Sequence, residues 1–119
     1  MAINASSLAL VHGAANLAGG LWPLVHLDSF EMIFGPKVDR WLVKTVSGLL
    51  IVNGVVQISS RGADAVQTAG RLSIGTAAVL AAIDLVYVPK GQISAMYLLD
   101  AAMEIGWIIA WTTAELPRQ

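Results

Sequence analysis

Asp100 and Glu104 stand four residues apart in an otherwise apolar stretch, with Tyr97, Trp107 and Trp111 continuing the pattern at spacings of three and four. On a helix these five residues share one stripe. Two carboxylates one turn apart in a medium of low dielectric repel each other, and holding a proton on one of them relieves the repulsion. Such a pair can bind a proton or a cationic substrate, with indole faces available for stacking, or it can act as an acid and a base. Asp84 is a third carboxylate of this kind, and it shares a helical face with Ser73 and Ala77. An earlier stretch carries His12, Asn16, Gly19, Pro23 and His26 near one face, and a second carries Asn53 with Gln57 one turn further. Asn16, Asn53 and Glu104 are expected at one depth, where they could meet in a hydrogen-bonded core. Amides in such places can also serve only to hold helices together, at about 0.6 kcal/mol each. The candidate ligand- or proton-binding residues are therefore Asp100, Glu104, Asp84, His12, Asn16, Asn53, Trp107 and Tyr97.

Other chemistries find no support. The chain has no cysteine, which removes disulfides, thiolate metal sites and thiol nucleophiles. It shows no Gly-rich phosphate loop after a strand, no His-Glu-x-x-His and no Ser/His/Asp context. His12 and His26 would lie roughly 20 Å apart along one helix, too far to clamp one haem or one metal within a chain. No metal or cofactor is assigned. A net charge of −1 without a basic cluster speaks against nucleic acid as a partner.

The elements that carry these residues follow from composition. Of 119 residues 56% are hydrophobic and 13% are charged, about half the charge of an ordinary soluble domain (~25%). Mean hydropathy is +0.69. Four stretches are long enough to cross a hydrocarbon core of about 30 Å: 6–25, 41–59, 68–88 and 93–116. Asn4 or Ser6 can cap the first, Pro89-Lys90-Gly91 ends the third, and Pro117 follows the fourth. The N-terminus lacks the positive region of a signal peptide, so the first stretch reads as an uncleaved span. Short links at 60–67 and 89–92 imply antiparallel neighbours. The expected fold is all-α, a single integral membrane domain over 1–119 built as an up-down four-helix bundle. Asp100 would then lie roughly 10 Å, and Glu104 roughly 16 Å, from the nearer end of the fourth span.

The first loop, 26–40, mixes Asp28, Glu31, Lys37, Asp39 and Arg40 with Phe30, Met32, Ile33 and Phe34. That mixture suits a short amphipathic segment in the headgroup region, or an ordinary connection. Lys44 could pair with Asp84 or Asp100, or snorkel to the headgroups, and Arg71 has the same two options. Trp22, Trp41, Tyr87, Tyr97 and Trp111 fall toward span ends, as in an aromatic belt. Ala102, Gly106 and Ala110, on the fourth span's other face, form a close-packing strip for another helix. Arg61, Arg71 and Arg118 on one side nearly balance Lys37, Arg40, Lys44 and Lys90 on the other, so the positive-inside rule gives no orientation.

The glycine-rich first span ending Gly20-Leu-Trp-Pro23, the longish first loop and Trp41-Leu-Val-Lys-Thr45 opening the second span resemble the small bacterial four-helix membrane proteins of the DoxX-like kind. The resemblance covers the layout of most of the chain and transfers no functional residue. It implies a bacterial inner-membrane location and an association with redox or quinone-linked complexes, for which this chain has no cysteine to support thiol chemistry. Three functions fit the residues. The protein could be an accessory subunit or a lipid-, quinone- or small-molecule-binding module; a small oligomeric proton-coupled transporter; or an intramembrane enzyme using Asp100 and Glu104 on a lipophilic substrate. The first is favoured, because 119 residues leave little apparatus for chemistry or alternating access. The partners expected are the bilayer, a lipophilic ligand, and further copies or a larger membrane complex.

Overall fold

A computed structural model describes residues 3–37 and 39–117. Arg118, counted above in the charge balance, and the first two residues of the N-terminal reading lie outside the described residues. The described chain is all-helical: α1 (Ala5–Val25), α2 (Leu27–Phe34), α3 (Arg40–Ser59), α4 (Ala63–Tyr87) and α5 (Tyr97–Thr113). Three of these, α1, α3 and α4, are long and apolar enough to cross a membrane. α5 has 17 residues, about 25 Å of helix, and is shorter than the stretch expected at 93–116.

Local chemistry sets most boundaries. Asn4 caps α1, its Oδ1 accepting from the Ser6 and Ser7 amides at 2.8 and 3.3 Å. α4 begins five residues before the expected position 68. Gly62 turns the chain at φ +84°, so only residues 60–62 separate α3 from α4. After Tyr87 the chain turns through Pro89, Lys90 and Gly91, the last at φ +73°. The Ser94 hydroxyl accepts from the Met96 amide at 3.2 Å, and α5 starts at Tyr97 rather than at Ile93. Beyond α5 the chain returns to the start of α1. The Ala5 amide donates to the Glu115 carbonyl and the Glu115 amide to the Ile3 carbonyl, both at 2.8 Å.

Two antiparallel pairs make up the body. α1 packs closely on α3, and α4 on α5, with lighter contact between the pairs. Glycine decides the first pair. A Cβ on Gly13 would stand 2.8 Å from the Gly54 carbonyl oxygen, one on Gly54 2.7 Å from that of Gly13, and one on Gly20 2.6 Å from that of Ser47. The two backbones therefore touch, as small residues permit in membrane helices. Gly19, which the first-span stripe included, faces open space instead. In the second pair the Trp111 ring lies across Gly70, where a Cβ would meet it at 2.8 Å.

What is buried is small or polar, and what is exposed is apolar. Ala69, Ser73, Ala77, Ala81 and Asp84 form the buried line of α4, while Leu49, Val52 and Val55 of α3 and Val79 of α4 are all more than half exposed. Water-facing helices show the reverse. Such a surface suits hydrocarbon.

Candidate functional site

Two separate polar centres occupy the interior. The first is built around Gln57 of α3, which is fully buried. Its Nε2 donates to the Ser73 hydroxyl at 2.6 Å and lies 3.2 Å from His12 Nδ1, while its Oε1 accepts from Asn16 Nδ2 at 2.9 Å. Ser73 donates onward to the Ala69 carbonyl at 2.6 Å. Trp111 Nε1 donates to His12 Nδ1 at 3.0 Å. An indole can only donate, so His12 Nδ1 is an acceptor and the neutral ring carries its proton on Nε2. Trp107 stacks on the same imidazole with centroids 4.2 Å apart and planes inclined by 11°. This network joins α1, α3, α4 and α5, and every polar atom of the Gln57 amide is engaged.

The second centre forms where α4 ends and α5 begins. The turn reverses the chain, so Asp84 near the end of α4 faces Asp100 in the first turn of α5, and Glu104 follows one turn deeper. Asp100 and Glu104 both stand close enough to Asp84 to act on it electrostatically, and Asp100 acts likewise on Glu104. Asp84 and Glu104 are 4% and 5% exposed. Asp84 Oδ2 is buried with no hydrogen-bond partner. No described cation forms an ion pair with these carboxyls; Arg40 pairs with Glu31, at 3.0 Å, instead. Nor is any group of three His, Cys, Asp or Glu side chains among the described residues placed to hold a metal ion.

The first loop folds over this end. α2 is amphipathic, with Met32 and Ile33 outward and Phe30 and Phe34 inward. Trp22, Phe30 and Phe34 cluster with centroid separations of 4.9 to 6.0 Å, and Phe34 meets Tyr97 at 4.8 Å. The Trp22 indole donates to Ser29 Oγ at 2.8 Å. Lys37 Nζ sits 4.5 Å from the Tyr97 ring centre and donates to the Phe34 carbonyl at 3.3 Å. Burial pushes the Lys37 ammonium below its usual range, and nearby Glu31 opposes that shift.

The expected residues thus divide between the centres. His12, Asn16 and Trp107 join the Gln57 network, while Asp84, Asp100, Glu104 and Tyr97 gather at the other, roughly 16 Å further along α4 from Ser73. Asn16, Asn53 and Glu104 do not meet in one core. Asn53 donates instead to the Leu49 carbonyl at 2.9 Å and accepts from Thr76 Oγ1 at 3.0 Å. Trp111 is a buried donor rather than part of a belt. Lys44 is exposed and makes no ion pair with Asp84 or Asp100. The sequence marks Gln57 only as the neighbour of Asn53 one turn away; the shared face of Ser73, Ala77 and Asp84 is the signal in it that α4 turns a polar line inward. No family model, no curated protein and no solved structure matches the chain.

Proposed function

We propose that this chain is a four-helix integral membrane protein of the bacterial inner membrane, and that it serves as a small-ligand-binding module whose Asp84–Asp100–Glu104 cluster takes up a proton or the amine of a lipophilic molecule. α5 acts as the fourth span, extended by the apolar residues Ile93 and Leu116 on either side of it. The observation that carries the reading is Asp84 Oδ2, buried without a partner beside two further carboxyls. Three carboxylates cannot all be ionised side by side in a low-dielectric site where no described cation pairs with them, so the cluster needs protons or a cationic guest. The DoxX-like layout agrees with a membrane module of this size. Binding is favoured over catalysis because His12, the obvious assisting base, has its Nδ1 committed to the Gln57 network.

Infrared titration of the protein in lipid tests the cluster. The wild type is expected to show a protonated-carboxyl stretch at neutral pH that weakens in D84N and again in D84N/E104Q. If no carboxyl remains protonated above about pH 5.5, the reading fails. In proteoliposomes, flux of an amine without product would mark transport, whereas product formed in detergent would mark an enzyme.

A second reading is favoured by the outer face of α5. Ala102 and Gly106 are exposed, and Met103, Gly106, Trp107 and Ala110 line an open groove of about 260 Å³. Such a strip accepts another helix, from a second copy or from a larger complex. The chain has no native cysteine, so oxidation of G106C in membranes should give a crosslinked dimer if the partner is a second copy. G75C, at a glycine that also faces open space on α4, should not crosslink. Equal crosslinking of both would reject a specific dimer.

A further inference from the structure

We propose that the cleft between the first turns of α4 and the last turn of α5 binds one anionic phospholipid, with its phosphate on Arg71 and an acyl chain against Val66, Ile74 and Trp111. The site rests on the membrane-embedded part of the reading above and not on the carboxyl cluster, which lies at the other end of α4.

The cleft measures about 240 Å³, and Gln67, Gly70 and Arg71 complete the α4 side of it. Its walls are otherwise apolar, and its floor is the Trp111 ring where it crosses Gly70. Arg71 is exposed, and it makes no hydrogen bond or ion pair with any described residue. It lies roughly 12 Å from the start of α4, within a helix of membrane length. A guanidinium at that depth is costly without a counter-anion. Long side chains on a helix lean toward its start, the side on which Gln67 lies one turn away, and that lean carries the charge toward the level of lipid phosphates. There the planar fork matches two phosphate oxygens, and the Gln67 amide can add a donor. Asp64, two turns nearer the aqueous side, is engaged in interactions of its own. Glu115 is exposed at the exit of α5, where its backbone is tied to α1. Among the described lining residues Arg71 is the one cation and all others but Gln67 are apolar, which favours an amphiphile over a free anion. The occupant is therefore a membrane lipid with an anionic headgroup.

Purified protein in mild detergent, titrated with phosphatidylglycerol or phosphatidylcholine and read by native mass spectrometry, tests this. Wild type is expected to retain phosphatidylglycerol about fivefold better than phosphatidylcholine, the order one partly exposed charge pair supplies. R71Q should retain the two equally, with helicity unchanged by circular dichroism. I74W, which fills the cleft and leaves the charge in place, should retain less of both lipids. An unaltered preference in R71Q, equal retention by wild type, or displacement of the lipid by millimolar inorganic phosphate would each overturn the proposal. Release of the chain from membranes by alkaline carbonate would instead strike at the membrane reading itself.

Discussion

Replacing Gly54 by valine is expected to separate α1 from α3 and to destabilise the protein by about 3 kcal/mol or more, at or beyond the upper end for overpacking. The cost is high because of what the new atoms would strike. A Cβ at this position meets the Gly13 carbonyl oxygen at 2.7 Å and the Leu17 backbone nitrogen at 3.0 Å. Neither can rotate away as a side chain could, so the helices must move apart. Such a shift would also pull Gln57, one turn further on α3, away from His12 and Asn16. G19V is the control, since nothing lies within 4 Å of a Cβ there. It should stay close to wild type. Unfolding followed by circular dichroism in a fixed detergent measures both, and a Gly54→Val melting curve overlying that of Gly19→Val would refute the close backbone approach.

The second large effect is expected from Q57L, a substitution of similar size that removes every polar atom of the central amide. It deletes the contacts to Ser73, His12 and Asn16 at once. Three interhelical bonds at the membrane average come to about 2 kcal/mol. Stranding the Asn16 Nδ2 amide adds about 1 kcal/mol or more, because it is left beside an apolar side chain. Ser73 and His12 suffer less, since Ser73 still donates to Ala69 and His12 still accepts from Trp111. S73A alone should therefore cost less than Q57L, and the double variant should cost less than the sum of the two. Additive losses in that cycle would show that the Gln57–Ser73 bond is not formed. Q57E should be worse than Q57L. It turns a donor into an acceptor against His12 Nδ1, whose lone pair already receives the Trp111 proton.

The spacings of three and four along α5 put Tyr97, Asp100, Glu104, Trp107 and Trp111 on one face, and all five are half-buried or buried. That face nevertheless serves two centres. Its first half meets Asp84 and its second half meets His12, because α5 lies along α4 over its length and its second half also reaches α1. The spacing along one helix cannot say which neighbour a given turn will touch. Asp84 could be assigned to a buried face from Ser73 and Ala77. Its meeting with Asp100 required the length of the turn between α4 and α5, which is longer than the 89–92 link expected. The first loop was legible as a mixture suited to an amphipathic segment. That it would carry Phe34 and Lys37 onto Tyr97 was not, since residues 34 and 97 are brought together only by folding.

What the sequence alone determined is whatever depends on neighbours a few positions apart. Three apolar runs of membrane length, a cap at Asn4 or Ser6, the stop at Pro89-Lys90-Gly91 and the shared face of Asp100 and Glu104 all follow from local spacing and side-chain chemistry. The tertiary structure decided how the helices pair and how each is rotated. In lipid there is no water to expel between helices, so partner choice turns on close packing and a few polar contacts. Gly13 against Gly54 and Gly70 against Trp111 set those rotations, and Gln57 rather than Asn53 is therefore turned to the centre. With α4 and α5 locked in that register, Asp84 joins the carboxylate pair read from the sequence, and Glu104 belongs to that pair's cluster rather than to the amide core.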